Sequence, residues 1–375
     1  AFTAVSLSTQ PFYVAATTGK SENLSYDLSA KTISAHTVIV GDHPGLFMLA
    51  KAVNMLGQTW MKGKCGKLCT DCDNRVQASP ATGTALMPSS SKTLGKLTSG
   101  TWHFGACGFV YKKQDSSYST DAYADKSVQT VLFVRATADG KVPKAGKLRL
   151  RLFFSGAEGI TAASSHQNAL VNAMIQQAGQ IMKTANITLE IADRRDTGPG
   201  LADIALANDL TETGDSGLDN LFASAASAGG SAVLDVFVVR KLVKSDVGDG
   251  TLESVSGGVP GPAFYHGIPG AGVAVAISVF KDDGARAGRA LAREIGHFLG
   301  LWHTTERDGS VHDPIDDTAE CPKSADGDGN GELSAEECKG KGANNAMFWA
   351  SPTAAASFTA QQGEIIRAHP LVRAQ

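Results

Sequence analysis

The chain has 375 residues, of which 34 are basic and 37 are acidic, and hydrophobic residues make up 42% of it. This length is sufficient for two domains with separate hydrophobic cores. A formal net charge of −3 leaves no strongly basic surface of the kind that binds nucleic acid or an acidic membrane, and no apolar run approaches the roughly 18–20 residues that span a bilayer.

Residues 1–140 are predicted to form an all-β domain. Strand-like runs occur at 10–14, 37–40, 97–104 and 128–134. Regular short strands separated by Gly and Ser turns are typical of a β-sandwich. The run Gly100-Thr101-Trp102-His103-Phe104 resembles the jelly-roll domains appended to secreted bacterial proteases. We expect one short helix in this region, over 44–56.

The cysteines fall in two groups, and their number is even. The six are Cys65, Cys69, Cys72, Cys107, Cys321 and Cys338. This distribution favours disulfides and an oxidising compartment, so we expect a secreted or extracellular protein. Cys321 and Cys338 are predicted to bond to each other, and the four N-terminal cysteines to form two further disulfides. The alternative for those four is a zinc site, although a second matching CxxC pair is missing.

From about residue 141 the pattern changes to alternating strands and helices, after a linker rich in Ala, Gly, Lys and Pro over 136–146. Strands are predicted at 147–154, 187–191, 233–239 and 273–279, and helices at 166–185, 218–228 and 363–369. The strand–helix–strand unit at its start implies a parallel crossover. We therefore predict an α/β (α+β) domain over 141–375. Its last helix should begin at a capping box, Thr359 to Gln362.

One stretch of this second domain carries residues suited to catalysis. Glu294 and His297 are three residues apart, so they share one face of a predicted helix. Gly300 can adopt a positive φ and end that helix. The chain then turns, and His303 returns toward His297. Two imidazoles suit zinc, and a carboxylate beside zinc suits a general base.

These residues resemble the signature of the metzincin metalloproteases, H-E-x-x-H-x-x-G-x-x-H. Arg293 stands at the position of the first histidine, and the other fixed positions match. The resemblance implies hydrolysis of internal peptide bonds, with His297 and His303 as zinc ligands and Glu294 as the base. It also implies that Met347 forms the family's Met-turn beneath the metal, and that the strand containing Val273, Val275 and Ile277 is an edge strand that pairs with substrate.

Arg293 puts the activity of this chain in question, because a guanidinium stays protonated and cannot donate a lone pair to a metal. Three hypotheses remain open. The chain is a zinc metalloendopeptidase impaired by Arg293, natural or engineered. Alternatively, it is a pseudoprotease that binds protein or glycan through its cleft or its N-terminal domain. In the third hypothesis, the chain is an active enzyme, and His312 or Asp313 supplies the missing zinc ligand. We expect a protein or peptide partner and a monomer.

A second metal site is predicted within 321–338. The twelve residues from Asp326 to Glu337 match the calcium loop of EF-hands. The predicted ligands are oxygens of Asp326, Asp328, Asn330, Glu332 (through its carbonyl), Ser334 and Glu337. Gly331 would make the sharp turn. The alternative is an acidic, glycine-rich surface loop without an ion. The short flanks predict an isolated loop that stiffens one wall of the cleft.

Overall fold

The computed structural model describes residues 5–13, 24–41, 46–56, 59–62, 79–112, 117–119, 127–206, 217–229, 232–244, 250–350 and 356–375. Cys65, Cys69 and Cys72 lie outside these residues, and only the backbone of Cys107 lies within them. The predictions for these four cysteines therefore stay predictions.

The N-terminal part forms two antiparallel sheets. The first has the order β1 (Val5–Tyr13), β10 (Ser127–Ala136), β3 (Thr32–Val40) and β7 (Thr82–Met87). The second has the order β2 (Leu24–Leu28), β8 (Gly100–Lys112), β4 (Leu46–Asn54) and β5 (Thr59–Lys62), with β6 (Ser79–Pro80) paired to β4 and β9 (Ser117–Ser119) paired to β8. Buried residues of both sheets form one core, which includes Leu28, Ile39, Phe47, Trp102 and Phe104.

The helix predicted over 44–56 is wrong, because β4 occupies Leu46–Asn54 and pairs with β8. The residues Leu46 to Leu49 are all buried. A short, continuously apolar run does not distinguish a buried strand from a helix. Pairing with β8 satisfies its backbone groups, and this decides the conformation.

The second part is built on a mostly parallel sheet of order β12 (Ile187–Asp196), β11 (Gly146–Phe154), β14 (Leu234–Val239), β18 (Val273–Ala276) and β17 (Ser254–Ser256), with β19 (Arg373–Ala374) paired to β11. A small sheet contains β13 (Asp203–Ala205), β15 (Lys241–Val243) and β16 (Thr251–Leu252). The helices are α1 (Ala169–Thr184), α2 (Gly217–Ala223), α3 (Gly284–Phe298) and α4 (Ala360–Ala368). The chain is thus a mixed α/β structure with several sheets, and β11 and β12 are parallel as predicted.

The prediction of an edge strand at Val273, Val275 and Ile277 is wrong. Strand β18 lies between β14, to which it is parallel, and β17, to which it is antiparallel. All three side chains are buried in the core. Among the described strands, β17 forms the edge on this side of the sheet. A strand of three residues has too little alternation to be recognised in the sequence.

Helix α3 lies very close to α1 because two of its glycines leave room. A Cβ on Gly284 would lie 2.5 Å from the Cβ of Ala173, and one on Gly288 would lie 2.5 Å from the Cβ of Gln177. Asp283 caps the start of α3 by accepting the amide hydrogen of Arg286 at 2.8 Å. These contacts fix α3 over the sheet. None of the described helices is both long enough and apolar enough to cross a membrane.

Candidate metal centre

The end of α3 brings the two predicted histidines together. Gly300 has a φ of 100°, and its amide donates to the carbonyl of His297 at 2.9 Å. The amide of Leu301 donates to the carbonyl of Gly296 at 2.9 Å. These two bonds form a Schellman motif, which requires the left-handed conformation that glycine adopts readily. The predicted helix end is confirmed, and the chain reverses so that His303 faces His297.

The two imidazoles meet through their Nε2 atoms, which lie 3.1 Å apart. The Nδ1 atom of His297 lies 2.8 Å from the carbonyl oxygen of Leu301, and that of His303 lies 2.9 Å from Oε2 of Glu306. A carbonyl and a carboxylate only accept, so each Nδ1 carries the hydrogen and each Nε2 presents a lone pair. In two neutral rings these lone pairs face each other, and a proton or a metal ion between them removes the repulsion. Two nitrogen ligands of a tetrahedral zinc lie about 3.3 Å apart, so this pair fits zinc.

Burial keeps His297 neutral. Its side chain lies in the core, and burial lowers its pKa to about 4, with further lowering from the charges of His303 and Arg293. A metal ligand must be deprotonated, and His297 meets this condition at neutral pH. Sequence reasoning missed Glu306, which orients His303. The spacing His303-x-x-Glu306 was the available signal, because residues three apart in a turn can contact each other.

Glu294 is a buried carboxylate with two donors on the same oxygen. The hydroxyl of Ser254 donates to Oε1 at 2.8 Å, and Nε of Arg293 lies 3.2 Å from the same atom. Burial raises the pKa of Glu294, but the charge of Arg293, the proximity of His297 and these hydrogen bonds together bring it below its ordinary value. Glu294 is therefore ionised at neutral pH.

Arg293 joins both sides of the site. Its Nη1 donates to the carbonyl of Trp349 at 3.1 Å, and its Nη2 lies 3.4 Å from the hydroxyl of Ser254 on the edge strand β17. Together with the contact to Glu294, these bonds occupy all three nitrogens of the guanidinium. Arg293 thus neutralises Glu294 and connects β17 to the segment that follows Met347. No local sequence pattern predicts Ser254 and Trp349 as partners of Arg293.

These residues line a cavity of about 340 Å³. Its walls are β17, the α3 residues Arg293, Glu294 and His297, the turn from Trp302 to Glu306, and Trp349. His312 and Asp313, predicted as substitute ligands, do not line it. The Nδ1 atom of His312 lies 3.2 Å from the carbonyl of Thr304, and buried Asp313 accepts the hydroxyl of Thr318 at 2.5 Å. The structure brings neither side chain into the cavity with the imidazole pair, and their role as substitute ligands stays a prediction.

Met347 lies directly against α3 at Gly296, the residue before His297. The residue is fully buried, and a Cβ on Gly296 would lie 2.4 Å from its Sδ atom. The side chain of Asn345 accepts the amide of Met347 at 2.8 Å, and the carbonyl of Met347 accepts the amide of Thr304 at 2.9 Å. Met347 therefore lies in a tight turn that supports both α3 and the segment following His303.

The predicted acidic loop is closed by a disulfide between Cys321 and Cys338. Carboxylate oxygens of Asp326, Asp328 and Glu337 lie within 4.8 Å of one another and could hold a metal ion. Backbone and hydroxyl hydrogen bonds from Ser334, followed by the amide of Gly327, lower the pKa of Glu337 to about 2. This carboxylate is ionised under all ordinary conditions.

The remaining predicted ligands also lie in this loop, but here they bond to neighbouring residues. The side chain of Asn330 accepts the amide of Glu332 at 2.7 Å, and the hydroxyl of Ser334 donates to Glu337 at 2.7 Å. Gly331 has the predicted positive φ, 83°.

No protein-family model matches the chain, and no curated protein matches it. Among solved structures, metalloproteinase-II from Bacteroides fragilis is 15% identical, with a TM-score of 0.27, over 49% of this chain and 57% of that chain. A Bacillus subtilis protein is 11% identical, with a TM-score of 0.13, over 63% of this chain and 53% of that chain. The chain thus spans little more than half the length of either structure. This similarity to a metalloproteinase is weak.

Proposed function

We propose that this chain is a zinc metalloendopeptidase of metzincin type whose activity is impaired by Arg293. The observation that carries this proposal is the pair of facing Nε2 atoms of His297 and His303, each oriented by an acceptor on its Nδ1. This is the donor arrangement that protein zinc sites use. Residues 1–140 and 141–375 are proposed as separate domains, and the Cys321–Cys338 disulfide accords with a secreted protein.

When bound, zinc supplies a polarised scissile carbonyl and a water of lowered pKa. Glu294 is the proposed base, because it is ionised and lines the same cavity as both imidazoles. Strand β17 is the proposed binding edge for an extended peptide, which would add to the sheet by backbone hydrogen bonds. It replaces the strand containing Val273 in this role, since β17 both borders the cavity and forms the edge.

Arg293 impairs this chemistry in two ways. It leaves only two histidine ligands, whereas catalytic zinc usually has three protein ligands. It also binds the base, because its Nε and the hydroxyl of Ser254 share one oxygen of Glu294. A base whose charge is neutralised by a neighbouring cation accepts a proton less readily.

The alternative function is a pseudoprotease that binds protein or glycan. The observation that favours it is the set of bonds from Arg293 to Glu294, Ser254 and Trp349. These bonds hold the cleft together without a metal, so the fold keeps a formed cavity in the absence of catalysis.

Calcium is the proposed ion of the acidic loop. The loop offers carboxylate, carbonyl, amide and hydroxyl oxygens only, and such ligands suit calcium better than zinc. We assign it a structural role, because the loop borders the site without supplying a residue that lines the cavity.

The experiment that tests the proposed function compares the chain with Arg293→His. We expect the Arg293→His protein to bind zinc near one equivalent and to cleave casein in an EDTA-sensitive manner. The unchanged chain should bind zinc weakly and cleave at least a hundredfold more slowly, a factor that corresponds to about 2.7 kcal/mol of barrier. The double variant Arg293→His, Glu294→Gln is the control, since it should keep zinc and lose turnover. If the unchanged chain holds one zinc tightly and cleaves as fast as Arg293→His, the impairment is disproved.

A further inference from the structure

Arg135 of strand β10 is almost completely buried where the first N-terminal sheet meets the end of α4. Its side chain is among the largest that are fully buried, with the residue 1% exposed. The Nη1 atom donates to the carbonyl of His369 at 3.0 Å and also contacts the carbonyl of Arg367. The hydroxyl of Ser34 donates to the intervening carbonyl, that of Ala368, at 2.5 Å. Donors from the first sheet therefore satisfy the carbonyl end of α4, where the helix dipole is negative.

The other edge of the same guanidinium has no partner. Its Nε and Nη2 atoms are both buried and make no hydrogen bond within the described structure. Arg151 shows what this edge normally does, because its Nε and Nη2 bind the two oxygens of Asp235 at 2.8 and 3.0 Å. Burial lowers the pKa of Arg135 to about 10, with no opposing contribution from a carboxylate. A buried cation without a counter-charge is strongly unfavourable.

Two buried histidines next to Arg135 also have a ring nitrogen that makes no hydrogen bond within the described structure. The ring centroids of His36 and His369 lie 5.2 Å apart, and both residues are 0% exposed. The Nε2 atom of His36 accepts the amide of Ala263 at 3.3 Å, and the Nδ1 atom of His369 accepts the amide of Leu371 at 3.3 Å. The opposite nitrogens, Nδ1 of His36 and Nε2 of His369, therefore carry the hydrogens. Both are buried, and neither has a hydrogen-bond partner in the part of the chain that the structure describes.

Every unsatisfied nitrogen in this cluster is thus a donor. Nε and Nη2 of Arg135, Nδ1 of His36 and Nε2 of His369 each present a hydrogen and find no acceptor. Buried polar groups are nearly always hydrogen-bonded, so such a concentration calls for an explanation. An acceptor with a negative charge would satisfy the donors and balance the guanidinium together. An uncharged acceptor such as water would satisfy the donors alone.

We propose that Arg135, His36 and His369 bind one small monovalent anion, of the size of chloride, between the first sheet and the end of α4. All three residues are almost completely buried, so we assign the site to a small ion and not to a larger organic acid. The bound anion would join the N-terminal sheets to the second part of the chain, because Arg135 and His36 belong to the former and His369 to the latter. This site is independent of the proposed zinc chemistry.

The test uses the full chain and bromide as the probe. In crystals grown with bromide and no other halide, we expect an anomalous peak within hydrogen-bonding distance of Nε and Nη2 of Arg135. In solution, the melting temperature should rise when gluconate is replaced by bromide at constant ionic strength, as binding to the folded state requires. Arg135→Lys keeps the charge but loses the edge formed by Nε and Nη2. The bromide concentration that gives half of the rise in melting temperature should therefore increase at least tenfold. Arg149→Gln, which changes a partly exposed arginine paired with Glu190, is the control and should respond as the unchanged chain does.

An ordered water at this position in the bromide crystals, with no anomalous signal, would overturn the proposal. So would a bromide response that is equal in the unchanged chain and in Arg135→Lys. If Arg135→Lys does not fold, the anomalous signal of the unchanged chain decides the question by itself.

Discussion

The indole Nε1 of Trp349 donates to the carbonyl of Leu333 at 2.7 Å. Trp349 lines the cavity, and Leu333 is a buried residue of the acidic loop. The amide of Leu333 in turn donates to the carbonyl of Arg307, next to the residue that orients His303. The loop is therefore connected by direct hydrogen bonds to two walls of the candidate metal centre. An ion that orders the loop would order these walls as well.

This connection leads to a prediction about calcium. Calcium should raise the melting temperature, because at a hundred times its Kd binding adds about 2.7 kcal/mol to the free energy of unfolding. Glu337→Gln should abolish most of this rise by removing the proposed bidentate ligand. Glu336→Gln is the matched control, since Glu336 is exposed and pairs with Lys339. Differential scanning calorimetry with and without EDTA measures the effect, and an equal calcium response in both variants would disprove the ligand assignment.

A second prediction concerns Glu306, which accepts the Nδ1 hydrogen of His303. Removal of a carboxylate that orients a metal-binding histidine typically costs 10–100-fold in metal affinity. In the Arg293→His background, Glu306→Gln should therefore weaken zinc binding by about that factor while leaving the fold intact. Competition with a chromogenic chelator measures the affinity. Glu320→Gln, which changes a carboxylate beside His312, should have no effect, and a comparable loss there would argue against a specific role for Glu306.

The end of α3 supports a prediction about Gly300. With alanine there, the residue keeps an unfavourable φ of 100° and its Cβ would lie 2.8 Å from Cδ2 of Leu86. Gly300→Ala should destabilise the protein by about 1–3 kcal/mol and weaken zinc binding by displacing His303. Gly179→Ala in α1 is the control, because no atom lies within 4 Å of its added Cβ and alanine favours a helix interior. Urea denaturation curves should move in opposite directions for the two variants.

Stability should also depend on pH through the buried histidines. Burial lowers the pKa of His36 to about 3 and that of His369 well below its usual 6.5. The pKa values of both histidines in the folded state lie below those in the unfolded state. The full stability is therefore present above pH 6.5 and is lost as the pH falls below that value. Each histidine can lower the free energy of unfolding by up to about 1.4 kcal/mol for each pH unit of that fall. Denaturation midpoints measured from pH 7.5 to 5 test this, with His166→Gln as an exposed control.

The sequence predicted local features well and distant partners poorly. The helix end at Gly300 and the capping box at Thr359 depend on neighbouring residues, and both are present. The partners of Arg293 lie 39 and 56 residues away, at Ser254 and Trp349. No local pattern indicates such contacts, because they arise only when the sheet and the turn around Met347 come together.

Some strand positions also follow from the local sequence, whereas others depend on pairing with distant strands. The parallel strands β11 and β14 have nine and six residues, and the alternating leucines of β11 and the mostly apolar residues of β14 reveal them in the sequence. Strand β17 has only three residues, and its place at the edge follows from its pairing with β18. The sequence-based prediction therefore placed the edge one strand too far inside the sheet, and with it the surface proposed to bind a peptide.

The disulfide that closes the acidic loop has a consequence for a protein exposed to proteases. Cys321 and Cys338 are separated by 17 positions and enclose the exposed, glycine-rich part of the loop. A single cut inside this loop would leave two fragments that remain covalently joined. The segment carrying Met347 would stay attached to the helix that it supports, and the cut would become visible as two bands only after reduction.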